Sequence, residues 1–297
     1  MTKLYIPSRH NSVFEELDYH FLCVDKIEGC DVVMLWNDVN AFERGVISLA
    51  RSLGKKVVVL QHGRKGSSRY FPPFNERIKA DALLVWGEFD KRSLVDAGQD
   101  PQKIRVVGTT VLQDLPEKRE HNGINIVFCP EHWDKEVEEN SWVKKELRKL
   151  RYKNKAIKVT TKIIESHDPK NYDNPIQTNR NTDEHLRVCG EVLSTCDLVV
   201  GVSESTFELM AQAMGIPVVI MSDWIPKSCN GQEGYKTYRR VISKASAATP
   251  IKDLNETILA ELQDPNRLKE ERKKVAIDEG GLGLNTIELI KEAINGI

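Results

Sequence analysis

Leu198-Val199-Val200-Gly201-Val202-Ser203-Glu204-Ser205-Thr206-Phe207-Glu208-Leu209-Met210-Ala211-Gln212-Ala213-Met214-Gly215-Ile216-Pro217-Val218-Val219-Ile220-Met221 is the stretch that decides how this chain folds. Leu198 to Val202 is a short β-branched run of the kind buried in parallel sheets. Ser205 to Met214 is helical. It opens on Ser205-Thr206-Phe207-Glu208, a capping box in which Ser and Glu satisfy each other's end of the helix start, and it stops at Gly215. Val218 to Met221 is a second buried strand. A strand, a helix and a strand in this order form a right-handed parallel crossover, so the chain is of the α/β class.

The same alternation extends outward in both directions. Upstream, strands are expected at Leu4–Ile6, His20–Val24, Val32–Trp36, Lys56–Leu60, Ala82–Trp86 and Ile104–Val107. Helices are expected from Asn40 to Leu53, ending at Gly54, and from Phe89 to Ala97, ending at Gly98. Pro116 to Gly123 is polar, charged and bounded by Pro and Gly, which is the composition of a linker. The rhythm then restarts with a strand at Ile124–Cys129, a charged helix at Asp134–Arg151, a strand at Ile157–Thr161 and a helix at Glu184–Ser194. From Leu254 the sequence is helical, with a break at Gly280-Gly281-Leu282-Gly283 and a last helix at Leu284–Ile294. The expectation is two Rossmann-like, doubly wound parallel-sheet domains, residues 1–116 and 117–297, facing a cleft where strand ends hold a ligand.

Composition narrows the function classes. Of 297 residues, 40% are apolar and 29% charged, and 43 basic residues against 44 acidic ones leave a net charge of −1. Such a balance gives no global field toward nucleic acid or anionic lipid. The basic helix 144–155 is the local exception, a candidate for peripheral membrane or nucleic-acid contact, although most charge runs are solvated faces. No uncharged run approaches the roughly 20 residues that span a bilayer, and the N-terminus has no signal-peptide core. The six cysteines form no CxxC pair, so all are expected to be reduced and free of metal in a cytoplasmic protein.

The chemistry is expected where strands run into polar turns. The N–H groups and dipole at the start of the 205–214 helix make an anion site, with Ser203, Ser205 and Thr206 as hydroxyl donors suited to a nucleotide diphosphate. The alternative reading is that Ser205 and Glu208 serve only the capping box. In the segment Val57-Val58-Val59-Leu60-Gln61-His62-Gly63-Arg64, a strand delivers His62 at its carboxyl end. An imidazole there can take a proton from an acceptor hydroxyl, or simply satisfy a nearby backbone group. Arg9 and His10 follow the first strand and Glu131 and His132 the first strand of the second half. Arg9 is suited to an anionic acceptor and His132 to a phosphate. Tyr70-Phe71-Pro72-Pro73-Phe74 is either an aromatic lip for an acceptor or a packed loop.

Gln61-His62-Gly63, Lys79–Gly87 and Lys103–Gly108, followed by Ser205-Thr206 and Gly215-Ile216-Pro217-Val218, resemble the GT-B capsule and wall-polymer transferases of the Kdo-transferase-like and CDP-glycerol glycerophosphotransferase-like families. Lys162 with His167-Asp168-Pro169 is similar to their Lys-x-His-Pro element. The resemblance implies a metal-independent glycosyltransferase-type enzyme, with no cofactor beyond its nucleotide-sugar substrate. It would move a sugar or polyol phosphate to a carbohydrate or other hydroxyl acceptor, as in polysaccharide biosynthesis. It further implies catalysis by His62, a donor site in the second domain (Ser203, Ser205, Thr206, Glu208, His132, Lys162), an acceptor site in the first (Arg9, His10, Arg64), and a last helix, 284–294, that crosses back to the first domain. Two departures stand out. Many GT-B enzymes carry a ribose-binding Glu five residues before Gly-x-Pro, where this chain has Met210; Glu208 either substitutes or only caps. UDP-GlcNAc 2-epimerases share the fold but carry His-Gly-Asp where this chain has His62-Gly63-Arg64, which ranks an epimerase-like activity second. A non-catalytic nucleotide-sugar-binding protein is the remaining alternative.

Overall fold

The computed structural model describes residues 2–7, 21–36, 41–61, 63, 78–130, 137–153, 155–164, 169–178, 184–202, 204–222 and 243–297. The chain divides into two compact units, Met1–Asp114 with Ile277–Ile297, and Leu115–Ala276.

The first unit is built on six strands: β1 (Lys3–Tyr5), β2 (Leu22–Cys23), β3 (Val32–Leu35), β4 (Lys56–Leu60), β5 (Ala82–Val85) and β6 (Ile104–Val106). They pair in the order β2-β1-β3-β4-β5-β6, all parallel. Side chains alternate across the sheet as the pleat requires. Met34, Val58, Leu60 and Leu84 face one side, where Ile290 and Ile294 of the last helix cover them. Val33, Leu35, Val57, Val59, Leu83 and Val85 face the other, with Ile47 and Ala50 of α1 (Ala41–Ser52) and Leu94 of α2 (Glu88–Asp96). Both faces are therefore apolar, which is why these strands read as continuous hydrophobic runs rather than as alternating ones.

The second unit repeats the plan with β7 (Ile124–Cys129), β8 (Ile157–Ile164), β9 (Pro175–Thr178), β10 (Leu198–Gly201), β11 (Val218–Met221) and β12 (Ala247–Thr249), in the order β12-β11-β10-β7-β8-β9 and again all parallel. Ile126, Phe128, Val200 and Val219 pack against Val143 and Leu147 of α3 (Val137–Lys149) and Leu254 and Ile258 of α6 (Leu254–Gln263). Between these helices in the chain come α4 (Glu184–Ser194) and α5 (Thr206–Ala213). Two edge strands, β9 and β12, are absent from the sequence reading. β9 starts on a proline and β12 is Ala-Ala-Thr, so neither carries an apolar run. A sheet edge accepts both, since one side of the strand needs no ladder partner.

After α7 (Lys269–Gly280) the chain turns into α8 (Thr286–Asn295), capped by Asn285. This tail lies on the strand ends of the first unit at bare backbone. A Cβ on Gly87 would stand 2.0 Å from the Asp278 carbonyl oxygen. One on Gly281 would stand 2.5 Å from both the Gly108 Cα and the Trp86 carbonyl oxygen. The Thr109 N–H donates to the Gly280 carbonyl at 3.1 Å, and Arg92 of α2 pairs with Asp278 at 2.6 Å.

Candidate functional site

In an open α/β sheet a ligand sits outside the carboxyl ends of the strands at the point where the strand order reverses. In the second unit that point lies between β7 and β10: β8 and β9 follow on one side of β7, and β10, β11 and β12 on the other. Their registers bring Cys129, Gly201 and Ile220 to one level at the carboxyl edge, with Phe128 beside Thr161 one step back. The start of α5 stands directly after β10, on this edge.

The first turn of α5 is a complete capping box. The Ser205 Oγ accepts from the Phe207 N–H at 3.2 Å, and a Glu208 carboxylate oxygen accepts from the Ser205 N–H at 2.8 Å and from its hydroxyl. The proton of Ser205 is thus committed to the helix. Glu208 is buried; burial pushes its carboxyl up, while the Ser205 donors and Lys162 pull it part of the way back. Lys162, near the end of β8, is buried as well, with its ammonium 5.4 Å from the centroid of the Phe207 ring. Cys129 shares this surrounding, and burial holds its thiol well above the ordinary range.

Glu204, one residue before the cap, is a feature that sequence reasoning missed. Its carboxylate accepts from Ser243 Oγ and Ser246 Oγ, each at 2.6 Å, from the Ser243 N–H at 3.1 Å and from Gln212 Nε2 at 3.2 Å. It ties the β10–α5 turn to the segment entering β12. No local pattern announces this, because its two serine partners lie 39 and 42 residues downstream.

The corresponding edge of the first unit gathers Trp36 after β3, Gln61 after β4, Trp86 after β5 and Gly108 to Val111 after β6. Gln61 is the organising residue. Its Nε2 donates to Asp90 and to the Gly63 carbonyl, both at 3.0 Å, and its Oε1 accepts from the Trp86 N–H at 3.1 Å. Its carbonyl accepts from Trp86 Nε1 at 2.8 Å. The Gln of the Gln-His-Gly element therefore fixes the backbone on both sides of position 62.

Among the residues expected to form the site, the structure brings Ser205, Thr206, Glu208 and Lys162 together at the second unit's edge. His62, Arg9, His10, Arg64, His132 and Ser203, together with Glu131 and the 70–74 stretch, lie outside the described residues. In the basic 144–155 segment, Lys144 sits over the Tyr172 ring at 5.0 Å, Arg148 forms a two-pronged pair with Asp173 at 2.7 and 2.9 Å, and Lys149 pairs with Glu146. Part of its charge is thereby neutralised locally. Among the described residues no group of three or more His, Cys, Asp or Glu is placed to hold a metal, and no helix is long and apolar enough to cross a membrane.

No protein-family model matches the sequence, and no curated protein matches it either. Solved structures do match the fold. Anabaena HepE, solved in complex with UDP and glucose, aligns over 100% of both chains with a TM-score of 0.57 at 10% identity. The wall teichoic acid polymerase TagF aligns over 99% of this chain and 89% of its own, with a TM-score of 0.60 at 11% identity. The UDP-GlcNAc 2-epimerase of Neisseria meningitidis, bound to UDP-GlcNAc, aligns over 96% and 80%, with a TM-score of 0.58 at 15% identity. What is shared at these identities is the fold, a pair of parallel-sheet, Rossmann-like domains.

Proposed function

We propose that this GT-B chain is a transferase that moves a sugar or polyol phosphate from a nucleotide-activated donor to a hydroxyl acceptor, without a metal. The observation that carries the reading is the β10–α5 unit: a helix start with an adjoining buried lysine, placed at the switch point of the second sheet. A helix start there favours the negative charge of a diphosphate. Two of the fold neighbours were solved with UDP or a UDP-sugar bound, and one is a wall-polymer polymerase, which supports a nucleotide-linked donor.

In this reading the second unit takes the donor. Ser205 and Glu208 hold the start of α5, Thr206 and Ser203 supply hydroxyls next to the phosphates, and Lys162 and His132 complete the positive surroundings. The first unit takes the acceptor, with Arg9, His10 and Arg64 around it. His62 removes the acceptor's hydroxyl proton. The acceptor oxygen bonds to the donor's C1, or to phosphorus for a polyol phosphate, and the bond to the nucleotide phosphate breaks, leaving its electron pair there. A base of this kind is worth about 10²–10⁴-fold in rate. Each preorganised donor to the leaving group is worth roughly 3–4 kcal/mol.

The test is nucleotide release from UDP-, CDP- and CMP-activated donors in the presence of hydroxyl acceptors. His62→Ala should lower turnover at least ~10²-fold with donor affinity nearly unchanged, because the lost contact acts only in the transition state. A wild-type rate in that variant removes His62 from the mechanism. The epimerase fold neighbour favours a second reading, and an epimerised sugar formed with no acceptor present would establish it. Donor binding with no turnover under any acceptor would make the chain a nucleotide-sugar-binding protein.

A further inference from the structure

Gln61, Trp86 and Asp90 form a buried polar network at the carboxyl edge of the first sheet; they are 2%, 4% and 5% exposed. Each hydrogen of the Gln61 amide has its own acceptor, the Asp90 carboxylate and the Gly63 carbonyl, both at 3.0 Å. The amide oxygen takes the Trp86 N–H at 3.1 Å. A carboxylate only accepts and a peptide N–H only donates, so the two together fix which way round the amide sits. Asp90 anchors the nitrogen end, from which the Gly63 carbonyl is held. The main chain before position 62 is held separately. There the Gln61 carbonyl accepts from the Trp86 indole at 2.8 Å, and the Gln61 N–H donates to the Leu84 carbonyl at 2.9 Å.

Asp90 lies in the first turn of α2, where a negative charge is favoured by the helix dipole. That role needs only a charge, and an exposed carboxylate fills it. Burying a carboxylate costs free energy unless it is hydrogen-bonded, so the dipole alone does not account for Asp90 pointing inward onto a side chain 29 residues away. Gly63 supplies the reason. Glycine has the widest backbone freedom of any residue, so the turn after position 62 needs holding at its carbonyl.

We propose that Asp90 is a positioning residue: through the Gln61 amide it fixes the main chain after residue 62, and with it the place from which the His62 imidazole meets the acceptor hydroxyl. The inference rests on the transferase reading, in which His62 is the base. A general base works within about 2.6–3.2 Å of the oxygen whose proton it takes. A displacement of about 1 Å costs on the order of 10²-fold in rate.

The experiment compares Asp90→Ala, Asp90→Asn and Trp86→Phe with the wild-type full chain. Steady-state nucleotide release is measured together with the isotope-labelled imidazole resonance of His62, assigned with His62→Ala. Asparagine keeps an oxygen for the Gln61 amide and loses the charge. Asp90→Ala should lower kcat about 10–100-fold with donor KM within about twofold. Asp90→Asn should stay within about threefold of wild type, since only the charge assistance of one hydrogen bond is lost. Trp86→Phe deletes the indole N–H and keeps an aromatic ring; it should lower kcat about tenfold, which decides the matter if Asp90→Ala folds poorly. The His62 resonance should shift in Asp90→Ala and Trp86→Phe and hold its place in Asp90→Asn. If asparagine and alanine lower the melting temperature alike and neither changes kcat, Asp90 serves only the helix start and the proposal is overturned. A His62 resonance identical in all variants overturns it as well. If the wild type releases no nucleotide from any donor, the transferase reading falls, and the His62 resonance alone decides whether Asp90 positions residue 62.

Discussion

Gly87→Ala is a single methyl group whose effect the geometry sets. The Gly87 backbone is extended, at φ −138°, so alanine adopts it without strain and the whole penalty is steric. The added carbon would lie 2.0 Å from the Asp278 carbonyl oxygen and 2.6 and 2.8 Å from the carbonyl carbons of Asp278 and Glu279. These are backbone atoms and cannot rotate away, so the 278–281 segment must retreat by roughly 1 Å to restore van der Waals contact. That shift breaks the Thr109–Gly280 hydrogen bond, worth about 1 kcal/mol. Overpacking adds about 1–3 kcal/mol. The sum, about 2–4 kcal/mol, falls short of detaching α8, whose buried Ile290 and Ile294 contribute about 1.5–3 kcal/mol each. Thermal unfolding followed by circular dichroism should show Tm lowered by roughly 10 °C. Limited proteolysis should release the C-terminal segment sooner than in the wild type. A variant melting within a degree or two of the wild type would mean that the tail does not pass this close to Gly87.

Three further expectations concern the second unit. Burial raises the Glu208 carboxyl in the folded state, so its stabilising contribution is complete below the unfolded carboxylate range and is lost as pH rises through the folded value. The Tm of Glu208→Gln relative to wild type should therefore climb between pH 4 and 8; a difference that stays flat or falls refutes the burial argument. Ser205→Ala removes a cap worth about 1–2 kcal/mol and should lower Tm, whereas Thr206→Ala should act mainly on donor affinity measured by calorimetry. The reverse pattern would return the phosphate contact to Ser205. In native alkylation read by mass spectrometry, Cys23 should react before Cys129, Cys189 and Cys196, whose thiols burial pushes up, that of Cys196 to about 12.

The strand–helix alternation and both sheets' central strands were legible in the sequence, because a strand buried on both faces must be apolar throughout and a helix must declare its cap. The 198–221 unit shows this most fully: strand, capping box, glycine stop and second strand all lie where the residues put them. Such signals are local, carried by neighbours within one or two turns. The edge strands β9 and β12 were not legible, since their place is fixed by the ladder beside them and not by their own side chains. Trp86-Gly87 and Val107-Gly108 could be quoted as a motif, but only the tertiary structure supplies the reason for it. The tail from Asp278 to Gly281 crosses the first unit's strand ends at a distance that admits no Cβ, almost two hundred residues away in sequence. The same holds for Thr286, an ordinary helix-start threonine in sequence, whose hydroxyl gains meaning from the Gly108 backbone opposite it. Contacts between distant segments leave no periodic trace, so the sequence determined the elements and their order, and the folded chain decided which distant backbones meet too closely to carry a Cβ.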